Sequence, residues 1–146
     1  KNKTFMSSTF WTERTGPTAA LKTLEIMEKI KSWDLITNKG KKINNFWKKI
    51  AKKYKMDIKV QGIPSLCNFQ FNSKFHNIFK GYITNEMLKR GFLANNIIYS
   101  SVAHKENILN KYFEYFEEVF EELSKIDENE ISKMSLNKYS NLTFRK

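Results

Sequence analysis

The chain has 146 residues, 40% hydrophobic and 14% aromatic, enough apolar material for one domain with a core and too much for a disordered chain. Its formal net charge of +11 by itself points to an acidic partner, nucleic acid or a membrane surface. Only Arg14, Arg90 and Arg145 supply the bidentate fork that reads bases and phosphates, and Lys, Asn, Ile, Phe and Tyr make up nearly half the chain, which is the mark of A/T-rich codons rather than of a binding face.

Residues 1–15 are polar and aromatic without a period. Gly16-Pro17-Thr18 opens a helix, because proline in a first turn forfeits no hydrogen bond. Ala20, Leu24, Met27 and Ile30 form its apolar stripe, and it is expected to end near Trp33-Asp34. A second helix is expected over 35–54, with Ile36, Gly40, Ile43, Trp47, Ile50 and Tyr54 on one face. Gly40 lies on that stripe, so the expectation is close packing there rather than a break. Lys48, Lys49, Lys52, Lys53 and Lys55 crowd the end of the helix, where cations suit the macrodipole.

Asp57–Gly62 alternates weakly, Ile63-Pro64 punctuates, and Leu66–Phe71 suits a buried strand, which together predict an antiparallel pair. A third helix is expected over 74–90 with Phe75, Ile78, Phe79, Ile83 and Leu88 inward, stopped by Gly91. Short strands are expected at Phe92–Ala94 and Ile97–Val102. A last helix is expected over 105–125 with Ile108, Tyr112, Phe116, Val119 and Leu123 on one face. The order predicts an α+β fold: a small, mostly antiparallel sheet covered by helices. Charge is segregated, with 15 bases against 5 acids in residues 1–60 and 3 against 9 in residues 105–131.

The chemistry available is narrow. His76, His104 and Cys67 fall at no metal-ligand spacing, so no metal site is expected. Cys67 reads as a small core residue, and a single cysteine fits a reducing, cytoplasmic setting. No apolar run reaches the ~18 residues that span a bilayer, so no membrane partner is expected. Neither a phosphate loop nor a dinucleotide fingerprint is present. No helix-turn-helix pattern or aromatic platform accompanies the lysines, so no nucleic-acid partner is expected, although a basic binding module stays open as an alternative. Ser7-Ser8-Thr9 clusters hydroxyls and backbone N–H groups ahead of the first helix. Such a loop either caps a turn or holds a phosphate.

Ser7-Ser8-Thr9-Phe10-Trp11-Thr12-Glu13-Arg14-Thr15-Gly16-Pro17-Thr18-Ala19-Ala20-Leu21 resembles a segment of class III aminotransferases, the pyridoxal-phosphate enzymes of fold type I, and in particular the group similar to glutamate-1-semialdehyde aminomutase. Gly62-Ile63-Pro64, Leu88-Lys89-Arg90-Gly91-Phe92-Leu93-Ala94 and Ser101-Val102-Ala103-His104 agree in order, so the resemblance covers about residues 5–124. It implies three parts: residues 1–15 as an active-site segment between domains, 16–125 as the C-terminal small domain, and 126–146 as a polar tail. It implies that a large N-terminal domain, bearing the Schiff-base lysine, precedes Lys1, and that this fragment alone is inactive.

The resemblance also implies pyridoxal 5'-phosphate as cofactor, amino transfer between an amino donor and a carbonyl acceptor, and a homodimer. Thr9, with Ser8, would contact the cofactor phosphate of the neighbouring subunit. Arg14 and Asn96 are the candidate substrate-binding residues, with no catalytic residue in residues 1–146. The aminomutases carry a Gly-Asn-Pro turn where Thr12-Glu13-Arg14 stands, and a Glu where Asn96 stands. These departures favour a transaminase over glutamate-1-semialdehyde 2,1-aminomutase, which remains the alternative.

Overall fold

The computed structural model describes residues 13–127, 130 and 131. Among these, four helices and three strands follow in the order α1 (Thr15–Ile30), α2 (Ser32–Lys53), β1 (Ile58–Ile63), β2 (Leu66–Phe71), α3 (His76–Lys89), β3 (Ile97–Tyr99) and α4 (Glu106–Ser124). This is the expected small α+β arrangement. The chain divides into two units, Lys1–Trp33 and Asp34–Lys146.

In the first unit, the Thr18 N–H donates to the Arg14 carbonyl at 2.9 Å, with Gly16 and Pro17 inside the opening turn. The helix stops at Ile30 because Lys31 adopts a left-handed conformation (φ 47°) and turns its N–H back to Glu28 and Met27. The stop falls three residues before the expected end at Trp33, since apolar spacing does not register a left-handed cap. No residue of α1 is buried, so the Ala20-Leu24-Met27-Ile30 stripe is exposed within its own unit.

In the second unit the expected stripe of α2 is the floor of the core. Ile43, Trp47 and Ile50 are wholly buried, and Gly40 is buried beside the Pro64 backbone. The three strands run β1-β2-β3, antiparallel throughout. Ile63 pairs with Leu66 across Pro64-Ser65, the tight hairpin that Ile63-Pro64 announced. Period-2 alternation puts Cys67, Phe69 and Phe71 of β2 into the core. They meet Trp47 of α2, Phe79 of α3, and Phe116 and Phe120 of α4. Trp47 and Phe69 lie 4.8 Å apart edge-on, Phe71 and Phe79 5.1 Å, and Phe116 and Phe120 stack at 5.6 Å. Ile131 also packs into this cluster.

Two expected core assignments shift by one position. In α3, Met87 is buried and Leu88 is 52% exposed; in α4, Leu109 and Phe120 turn inward while Ile108 is 40% exposed. In both helices adjacent apolar residues compete for one face, and the direction of the packed neighbours decides. The end of α3 follows expectation. Gly91 takes φ 82°, with its N–H on Leu88 O at 2.9 Å and the Phe92 N–H on Met87 O at 2.9 Å, a Schellman closure. Phe92–Ala94 is not a strand, because this closure ties Phe92 back to the helix rather than to a neighbouring strand. The later strand is confined to Ile97–Tyr99.

The segregated charges meet. Lys42 pairs with Glu106 at 2.6 Å and Lys53 with Glu117 at 2.8 Å, both joining α2 to α4. Arg90 reaches Glu86, Glu118 and Glu122, tying the end of α3 to α4. Ion pairs at the surface contribute little to stability, so these orient the helices more than they stabilise them.

Candidate functional site

Thr9 and Ser8 lie outside the described residues. Arg14 is exposed at the start of α1. Asn96 belongs to the second unit and stands immediately before β3. Its Nδ2 donates to the Phe69 carbonyl at 2.8 Å, and its own carbonyl accepts from the Phe69 N–H at 3.0 Å. The side chain is therefore committed to extending the β2–β3 ladder by one rung. Its Oδ1 is buried and has no hydrogen-bond partner among the described residues.

The Ser101–His104 step forms a closed turn between β3 and α4. The Ser101 N–H donates to His104 Nδ1 at 3.3 Å, and the His104 N–H to the Ser101 carbonyl at 3.2 Å. An accepting Nδ1 leaves the ring proton on Nε2. Lys39 of α2 locks the turn from outside, its ammonium donating to Ser101 O at 3.2 Å and Val102 O at 2.9 Å. Burial first, and the Lys39 charge second, hold the His104 pKa below the ordinary 6.5.

That shift fixes the sign of a pH effect. The unfolded chain takes up a proton at His104 as pH falls through 6.5, while the folded chain resists until a lower pH. The stability contributed by neutral His104 is thus complete above 6.5 and is lost as pH falls through the folded value. An NMR titration of the imidazole should give a midpoint below 6.5, moving upward in Lys39→Met. A midpoint at or above 6.5 in the native chain would contradict the packing of this turn.

The same turn borders a cavity of about 290 Å³. Its walls include Ile43 of α2, Ala94, Ile98 of β3 and Leu109 of α4, and its polar members include His104 and Tyr112. Tyr112 is 3% exposed and accepts from Trp47 Nε1 at 2.9 Å. Burial pushes its phenol pKa far above the usual value, so it acts as a neutral hydroxyl. Leu93 (95% exposed) and Tyr99 stand at the rim.

Cys67 is fully buried, its Sγ 3.8 Å from Ile98 O. Burial raises its pKa, which suits a core thiol and not an activated nucleophile. No group of three or more His, Cys, Asp or Glu able to hold a metal exists among the described residues, and none of their helices is long and apolar enough to cross a membrane.

Sequence reasoning missed Lys39, His104 and Tyr112 as a neighbourhood. Lys39 was one lysine among many, and Tyr112 read as core by its spacing. The Ser-x-Ala-His step was the single local signal, and its bonds to Lys39 span 62 and 63 residues. Arg14 belongs to the first unit and Asn96 to the second.

Over 79 residues the chain is 29% identical to 3-aminobutyryl-CoA aminotransferase of Cloacimonas acidaminovorans (strain Evry). The match covers 54% of this chain and 19% of that protein. No family model matches the chain, and no solved structure matches it. Part of the chain is thus similar to an aminotransferase, of which it spans about a fifth.

Proposed function

We propose that residues 1–146 form the C-terminal part of a class III aminotransferase that moves an amino group between an amine or amino acid and a carbonyl acceptor. The partial identity to a curated aminotransferase carries this reading, and the Ser7–Leu21 segment supports it. Ser8 and Thr9 would contribute hydroxyl and backbone donors to the cofactor phosphate across a homodimer, and Arg14 would attract a substrate carboxylate.

The described residues do not by themselves fit pyridoxal phosphate. The Asn96 amide is bonded to Phe69 and the Lys39 ammonium to two turn carbonyls, so neither forms a phosphate cradle. The fit rests on Ser8 and Thr9 and on a large domain that supplies the covalent lysine. When bound, the cofactor supplies an electron sink at the carbon bearing the amine. The amide at Asn96, where aminomutases carry a carboxylate, supports transfer between two substrates over rearrangement within one.

The longer protein carrying this sequence is expected to retain pyridoxal phosphate through gel filtration, read by its absorbance, and Thr9→Val should lose much of it. It should also aminate a carbonyl acceptor and fail to isomerise glutamate semialdehyde. Undiminished cofactor retention in Thr9→Val would remove the phosphate role, and absence of amine transfer with every donor would remove the activity.

A further inference from the structure

We propose that the cavity beside β3 is a binding site for a small, uncharged, mainly apolar molecule bearing one hydrogen-bond acceptor, of the aryl or alkyl ketone class. The inference stands on the second unit alone and does not depend on the aminotransferase reading.

Size comes first. The volume of about 290 Å³ is close to the lower bound of ~300 Å³ for small-molecule pockets. It is roughly twice the ~150 Å³ apolar cavity that accepts benzene. One ring with a short substituent fills it.

Polarity then selects the substituent. The buried Tyr112 hydroxyl accepts from Trp47, yet a phenol also has a proton to donate. No acceptor for that proton exists among the described residues. His104, half-buried in the same wall, accepts at Nδ1 from Ser101 and so also offers a proton, at Nε2. The wall contains neither a carboxylate nor an ammonium, so a charged guest would lose its hydration without an opposite charge to meet it. Two neutral donors in an apolar wall match a neutral acceptor such as a ketone oxygen. Access is open at the Leu93 and Tyr99 rim.

The full 146-residue chain, titrated with acetophenone and separately with ethylbenzene, tests this. The two probes share size and shape, and only the first carries an acceptor. Saturable NMR shifts at the Ile98 and Leu109 methyl groups are expected, with acetophenone about 5-fold tighter, the worth of one added hydrogen bond. Tyr112→Phe should narrow that preference, His104 Nε2 being the donor left, while ethylbenzene still binds. Ala94→Leu, which fills the cavity from its edge, should abolish binding of both probes with the circular-dichroism spectrum unchanged, and it serves as the deciding variant if Tyr112→Phe does not fold. Absence of saturable shifts, equal affinity for the two probes in the native chain, or binding undisturbed by Ala94→Leu would overturn the proposal.

Discussion

Trp47→Ala is expected to lower stability by about 3–5 kcal/mol. Trp47 is wholly buried, packs edge-on against Phe69 at 4.8 Å and lies 6.4 Å from Phe116. It thereby links α2 both to the sheet and to α4. Its removal leaves a void larger than any neighbour can fill and takes away the donor on the Tyr112 hydroxyl. The void dominates, because one neutral hydrogen bond is worth only about 1 kcal/mol. Trp47→Phe should therefore recover most of the loss. Urea unfolding followed by circular dichroism measures both variants. Against a domain stability of roughly 5–15 kcal/mol, the alanine variant should be largely unfolded at modest denaturant. Equal losses in the two variants would mean that the hydrogen bond contributes more than the packing does.

Gly40→Ala should destabilise the fold by about 1–2 kcal/mol even though it improves the helix. In an isolated helix interior the change is favourable by about 1 kcal/mol. Here a Cβ at position 40 would occupy the space of the Pro64 carbonyl group. The obstacle is backbone at the tip of the β1–β2 hairpin, so it cannot rotate away as a side chain would. Overpacking of this kind costs about 1–3 kcal/mol or more, and it must outweigh the propensity gain. The discriminating comparison sets the whole chain against a peptide of residues 34–54. Alanine should raise the helicity of the peptide and lower the urea midpoint of the protein. A midpoint equal to or above that of the native chain would show that α2 and the hairpin do not approach so closely.

The net charge, prominent in the composition, turns out to be partly internal business. Lys42 and Lys53 meet Glu106 and Glu117 across α2 and α4, and Arg90 gathers three glutamates. Two lysines of the basic first half thus serve as partners for the acidic final helix. The segregation was visible in the chain, but its use was not, because both lysines stand 64 residues from their partners.

What was legible followed local rules. The α2 stripe from Ile43 to Ile50, the hairpin at Ile63-Pro64, the alternation that buries Cys67, Phe69 and Phe71, and the stop at Gly91 each rest on a 3.6 period, a period of two, or the backbone freedom of one glycine. The partial likeness to an aminotransferase was legible from its motifs in the same direct sense. Where local rules allowed two answers, expectation slipped. Leu88 and Met87 are equally apolar neighbours, as are Ile108 and Leu109, and Lys31 ends α1 in a conformation that lysine seldom adopts.

The sequence by itself determined the class of fold, the elements and most of their inward faces, because these depend on chemistry within a few residues. Only the tertiary structure decided that the Asn96 amide serves β2, that Lys39 clasps the Ser101–His104 turn, and that Tyr112 ends beside a cavity with a proton to give. Those facts depend on which distant groups share a dry space, and the energy of a buried polar group is set by its partners there.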